Sequence, residues 1–518
     1  MNVRKLLDWR KLLIYSHRWM GIAFGLLFLS WFISGIAFMY WGMPALSAEE
    51  RFAHQDNVDL SAATLSPQEA AEKAEVRPGT LRIEMRGSRP VYRISGFPVY
   101  ADTGEAVRTG ANALQAVEII RRWAPEHAAT VTYDARLEDS DQWTLQSAQR
   151  NQMPLHRIAV NDEAGSYYYV SEETGEIVMK TDRESRIKGF LSGVLHWVYF
   201  IPLRKQTYWW NQFIIWGSFA GAVMCLTGLV VGIWRLSPGR RFRQKGQNSY
   251  TPYSGLMRWH HYSGLIFGLL SFTFVISGAF SVNPYNMFSG TPMSREQREV
   301  VTGRARGLEP ITLDALRAGI AAINGSFPVK EIDLMQFRGE QYLTANRPLS
   351  PTEYRMVSIA HPEKGAFTRF DDQVMMDIAN EAMAGVPMED AMWLNEYDNY
   401  WRSRDNSRAL PVLRVRYLDP QRTWLYLDPS HGTMSKQERI TRINRWAYAA
   451  LHEFDLPWLY RQRPLWDIVL ILVSIGGAVL SFTTLWPMCK RLARHGRRFV
   501  NALRPSKSSR RIRRVEAD

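Results

Sequence analysis

The chain has 518 residues and a net charge of +14, and its mean hydropathy of −0.25 averages polar stretches with four long apolar blocks. That length suits several domains. Its two cysteines predict no disulfide and no iron–sulfur cluster, and the absence of C-x-x-C-H excludes covalent c-type haem. The charge is not a nucleic-acid footprint, because it is gathered at three places beside the apolar blocks.

Residues 1–18 carry five Lys/Arg and one acid, and no charge follows until Glu49. Residues 1–45 therefore read as a cytoplasmic N-terminus and a first transmembrane helix. Ala45-Leu46-Ser47-Ala48 looks like a signal-peptidase site, but the apolar run is far longer than the usual 7–15 residues. Residues 46–188 read as an α+β domain. In SPQEAAEKA (66–74), Ser66 is a cap, Pro67 the first helical residue and Glu69 the partner in a capping box. A strand pair is predicted over 91–107, a helix over 110–123 and a second strand pair over 166–178, with a turn at Thr174-Gly175-Glu176.

Residues 189–235 hold GFLSGVLHWVYFIP, a short histidine-bearing segment expected to end at Pro202, and then a second span. Residues 236–258 form a basic loop; with Arg235 the stretch has six Lys/Arg and no acid. Residues 259–289 are a third span. A second α+β domain (290–445) shows helices near 312–323 and 372–385 and strand pairs near 354–370 and 411–434. Residues 446–489 repeat the pattern, with RWAYAALHEFDLP expected to end at Pro457 before a fourth span. The tail 490–518 has eleven Lys/Arg and two acids, and its RPSKSSRRIRR could touch anionic lipid. Each uncharged block supplies the roughly 20 residues a spanning helix needs. Four crossings put all three basic pieces on one side, which makes both termini cytoplasmic and sets both large domains on the opposite side of the membrane.

The chain is written twice. A shift of 243 residues lays HRWMGIAFGLLFLSWFISGIAF (17–38) on HHYSGLIFGLLSFTFVISGAFS (260–281), matching His17 with His260, and Ile33-Ser34-Gly35 with Ile276-Ser277-Gly278. A shift of 256 matches His196 with His452, Arg186 with Arg442, and Trp210 with Trp466. An even number of crossings per copy makes the repeats parallel, related by a pseudo-twofold axis along the membrane normal. The fold class that follows is an α-helical membrane protein of four spans with two periplasmic α+β domains.

The Thr-Gly-Glu strand pair after an Ala-rich helix resembles a PepSY domain. A histidine followed by aromatic and glycine residues at a span's mouth, H17-R-W-M-G-I-A-F-G and H260-H-Y-S-G-L-I-F-G, resembles the PepSY-associated transmembrane family. The resemblance extends to ferric-siderophore reductases of the FoxB type. It implies two haems in an inner-membrane protein that reduces iron in a periplasmic siderophore.

Positions 4, 8 and 18 beyond a helical residue share its face. From His17 these are Gly21, Gly25 and Gly35; from His260 they are Gly264, Gly268 and Gly278. Such a stripe leaves room for a flat macrocycle beside an imidazole, although small residues also serve plain helix packing in membranes. His196 and His452 lie toward the outer face, so a twofold axis would pair His17 with His260 and His196 with His452. Two imidazoles per iron is b-type electron-transfer chemistry, and two b-type haems are expected. His261 is an alternative to His260, though it aligns with Arg18. Arg186 and Arg442 are candidate propionate contacts, with interfacial anchoring the alternative. Arg18 and Arg258 flank the inner pair in the same way. Trp210 and Trp466 read as interfacial belt residues. The run WLNEYDNYWRSR (393–404) is a candidate substrate lining or a surface loop.

No nucleotide-binding motif is present. An unidentified cytoplasmic or membrane donor is therefore expected to supply electrons, with a ferric siderophore, plausibly a hydroxamate, as acceptor. A haem-free PepSY regulator of a peptidase and a b-type cytochrome subunit exchanging electrons with quinone are the alternatives.

Overall fold

A computed structural model describes residues 9–107, 110–244, 246–303, 310–403 and 407–503. The basic segment 504–514, read as a lipid contact, lies outside the described residues. The chain forms two compact units: Met1–Gly42, Lys188–Tyr285 and Trp446–Asp518 in one, Met43–Ile187 and Asn286–Arg445 in the other.

The first unit is built on four apolar helices, Trp9–Phe38, Thr207–Arg235, Leu256–Phe280 and Leu465–Leu503. The shortest has 25 residues, about 38 Å at about 1.5 Å per residue, enough for a hydrocarbon core of about 30 Å. The first and third spans each pack against both the second and the fourth. The equivalent first helices of the two copies thus stand on a diagonal of the bundle. Mid-bundle, Phe28, Phe32, Met224, Cys225 and Val275 form an apolar plug with Trp31, Phe272 and Phe274. Close approach here requires glycine: a Cβ on Gly477 would run into the Phe32 ring, and one on Gly476 into Phe267.

The second unit is α+β. The capping box at Ser66 forms and starts the helix Pro67–Lys73. The predicted helices appear as Ala113–Trp123, Leu313–Asn324 and Asp372–Ala382. The two segments 46–188 and 290–445, expected as separate domains, share one six-stranded antiparallel sheet. Its order is Ser350–Ser358, Glu340–Arg347, Glu331–Phe337, Leu81–Arg86, Arg89–Ile94, Phe97–Tyr100. The seam between copies sets Ile83 opposite Ile332. Two four-stranded meanders complete the unit. One runs through Thr132–Leu137, Leu155–Ala159, Tyr167–Ser171 and Ile177–Thr181; the other through Met388–Leu394, Val412–Tyr417, Trp424–Asp428 and Thr433–Gln437.

Ile83 is 1% exposed, with Tyr92 on one neighbouring strand and Ile332 on the other. An Ile83→Ala change is expected to cost about 2–5 kcal/mol. A lower thermal midpoint of the purified chain, followed by circular dichroism, would register it.

The run 393–403 is not a free loop; Arg404 lies outside the described residues. Trp393 and Leu394 end a strand, and Trp401 is buried, stacked on Tyr426 with ring centres 5.7 Å apart. Asp398 accepts a hydrogen bond from the Tyr426 hydroxyl at 2.7 Å. Much of this aromatic run is accounted for by packing on the second meander.

Candidate functional site

Each copy contributes one histidine from a span and one from a short segment before the next span. His17 lies two turns into the first span and His260 one turn into the third. His196 follows a π-helical turn at Phe190–Val194, and the equivalent turn Trp446–Ala450 precedes His452. Such turns often mark functional positions. Pro202 and Pro457 do not end these segments as expected. Val198 and Phe454 do, in the left-handed region at φ 55° and 49°. The prolines instead occupy the first turns of the next short helices, Ile201–Arg204 and Pro457–Tyr460, where a missing N–H is harmless. A left-handed β-branched Val198 costs about 1–3 kcal/mol, strain of the kind that clusters at functional sites.

The structure brings together the same histidines that the repeat pairs. The ring centres of His17 and His260 are 6.1 Å apart, and those of His196 and His452 are 5.9 Å apart. An imidazole nitrogen binds a first-row metal at about 2.0–2.1 Å and lies about 1.1 Å from its ring centre, so two imidazoles on opposite sides of one iron hold their centres about 6.2–6.4 Å apart. Both observed separations are close to this requirement.

The hydrogen bonds set the ring nitrogens apart. His17 Nδ1 donates to the Met224 carbonyl at 3.0 Å. His260 Nδ1 donates to the carbonyl of Leu480, the matched residue, at 3.3 Å. Ser34 donates its hydroxyl to the Trp31 carbonyl and so accepts from His196 Nδ1 at 3.3 Å. His452 Nδ1 donates to the Phe274 carbonyl at 3.0 Å and lies 3.2 Å from Ser277 Oγ, the residue matched to Ser34. All four Nδ1 atoms therefore carry the proton, and each Nε2 keeps its lone pair, with no protein partner among the described residues. This is how metal-ligating histidines are oriented.

His261 is arranged differently. Its Nδ1 lies 2.7 Å from Thr251 Oγ1 and its Nε2 donates to the Gly232 carbonyl at 2.7 Å. Both nitrogens are committed, which leaves none for a ligand. It ties the loop before the third span to the end of the second.

Around the inner pair lies a cavity of about 400 Å³, lined by Gly21, Gly25, Gly228, Gly232, Gly264 and Gly268 among others. A Cβ on Gly21 would meet nothing within 4 Å, and one on Gly228 would strike the His17 ring. Gly35 and Gly278 do a different job from the rest of their stripes. Their missing Cβ atoms admit the outer rings, at 3.4 Å from His196 Cε1 and 3.5 Å from His452 Cε1.

Arg186 donates to Thr181 Oγ1 and to the Gly165 carbonyl, both at 3.0 Å. Arg442 donates to the Gln437 carbonyl at 3.0 Å and covers the Trp424 ring at 4.6 Å. Both guanidiniums are thus held by strand ends of the second unit. Arg258 is bonded to Gln244. Trp210 and Trp466, read as belt residues, have a second role: their indole N–H groups donate to the carbonyls of Trp197 at 2.9 Å and Glu453 at 3.0 Å. Each carbonyl belongs to the residue after an outer histidine. Matching of the two tryptophans between copies was the only sequence signal for this. Trp210→Phe keeps the ring and loses the donor, an expected cost of about 1 kcal/mol, read as a lower thermal midpoint.

Among the described residues no group of three or more His, Cys, Asp or Glu could hold a bare ion. The inner histidine pair, beside a glycine-lined cavity, suits a planar metal complex instead. Fold and site together define a duplicated four-span membrane protein with paired intramembrane histidines. It belongs to the family described as PepSY-associated TM region, which matches residues 14–296, more than half of the chain. No curated protein matches it.

Proposed function

We propose that this chain is a di-haem b oxidoreductase of a bacterial inner membrane, carrying electrons from a cytoplasmic-side donor to a ferric siderophore in the periplasm. The observation that supports this most is the pair of facing imidazole couples, 6.1 and 5.9 Å between ring centres, with every Nδ1 proton tied to a carbonyl or hydroxyl. His17 and His260 would hold the inner haem, His196 and His452 the outer. Bound haem would supply one-electron redox chemistry there. The chain's own residues orient the imidazoles through their Nδ1 hydrogen bonds, and the glycines lining the inner cavity leave space for the plate. Hard oxygen ligands such as hydroxamates hold Fe(III) far more tightly than Fe(II), so one-electron reduction releases the metal for uptake.

The test is a visible spectrum of the purified protein with haem counted per chain. Two haems, with Soret and b-type α bands, are expected; their absence would favour the haem-free regulator and overturn the proposal. Reoxidation of the dithionite-reduced protein by a ferric hydroxamate siderophore tests the substrate. A reduced protein indifferent to the chelate but oxidised by quinone would instead be a cytochrome subunit.

A further inference from the structure

Among the described residues that line the inner cavity the charge is of one sign only: Arg18 and Arg491 are the charged ones, and no Asp or Glu is among them. Beyond these two, the lining is apolar apart from the histidines, Tyr253, Ser271, Ser481 and Thr484. Arg18 and Arg491 border the same cavity. Neither has a carboxylate partner among the described residues, and Arg18 has only the Tyr15 ring beneath it, at 5.3 Å. On the fourth span Arg491 is half-buried while residues 492–500 are all exposed. It extends the face that carries Leu480, Thr484 and Met488 along the cavity.

Two like charges beside an apolar cavity call for a ligand with two anionic groups at one end of an apolar body. The repeat is broken at this end of the bundle, which makes the arrangement one-sided. His261 stands where Arg18 stands in the first copy, and both its nitrogens are committed. Arg235 stands where Arg491 stands in the second copy, but it lies over Trp234 at 4.8 Å and does not line the cavity. Both cations that line the cavity therefore come from the first and fourth spans.

We propose that Arg18 and Arg491 are the anchor for the two propionate carboxylates of the inner haem, fixing that haem in one orientation with its acidic edge toward the basic end of the bundle. This rests on the di-haem reading. Arginine suits the task because its planar fork pairs with carboxylates in two-point contacts.

The experiment uses the full chain with Arg18→Gln and Arg491→Gln, singly and together. The double variant is expected to retain the bis-histidine spectrum, because neither arginine is an axial ligand. It should lower the midpoint potential of the inner haem alone, since two cations that favour the reduced iron are gone. Loss of the inner haem to apomyoglobin should accelerate tenfold or more. Arg18→Lys with Arg491→Lys should restore much of the potential. Wild-type chain loaded with haem dimethyl ester, which has no propionate charge, should lose its haem as fast as the double variant, and the substitutions should then not speed that loss further. An unchanged potential and loss rate would overturn the proposal. So would a double variant that keeps its inner haem intact but loses co-purifying anionic lipid, which would make the arginines a headgroup anchor. Both results leave the di-haem reading standing; a wild-type chain without haem sinks both.

Discussion

A His260→Ala chain purified from membranes is expected to lose half of its low-spin bis-imidazole signal in electron paramagnetic resonance. Haem per chain should fall toward one. His17→Ala should do the same, and His261→Ala should leave both quantities intact. The difference between adjacent histidines follows from their nitrogens. His260 has one nitrogen tied to Leu480 and a free lone pair, whereas His261 spends both nitrogens on Thr251 and Gly232. Removing His260 leaves the facing His17 as the sole protein ligand, 6.1 Å from where its partner ring stood. The His261→Ala variant has a different expected cost: it frees the Gly232 carbonyl and the buried Thr251 hydroxyl, about 1–3 kcal/mol of stability. If His261→Ala removes the inner low-spin signal and His260→Ala does not, the ligand assignment at this site is wrong.

The spans and the histidine pairs were legible in the sequence because both depend on local pattern and repetition. Long uncharged runs have one common fate in a bilayer, and the repeated H-x-x-x-G spacing marks a helix face directly. The Ile-Ser-Gly triplet was visible as a repeat, but its serine was not visible as the partner of a histidine 162 residues away. The seam between Leu81–Arg86 and Glu331–Phe337 was hidden for the same reason. Strand partners that lie 250 residues apart leave no periodic trace in either strand. The reading of Arg186 as a propionate contact rested on its matched position alone. Its hydrogen bonds to Thr181 and Gly165 depend on how a strand ends, which spacing does not report. The prolines were misread because proline both ends one helix and opens the next. The left-handed residues Val198 and Phe454, which decide between those roles, have no signature in side-chain type.

The second large effect is expected at the outer pair. His196→Ala should abolish the outer low-spin signal and slow reoxidation by a ferric hydroxamate siderophore by a hundredfold or more. The inner haem should still be present and reducible by dithionite. The separation of effects follows from the fold: His196 is held by Ser34 and faces His452, and shares no hydrogen-bond partner with His17 or His260. Ser34→Ala offers a graded version. It keeps the imidazole and removes the acceptor of its Nδ1 proton, and loss of such an outer partner typically costs 10–100-fold in metal affinity. The matched Ser277→Ala should be milder, because His452 Nδ1 retains the Phe274 carbonyl at 3.0 Å. The order His196→Ala, then Ser34→Ala, then Ser277→Ala in outer-haem loss is therefore the expected ranking. An outer haem retained in full by His196→Ala would refute the pairing. Normal siderophore reduction by a variant lacking that haem would place the acceptor elsewhere on the protein.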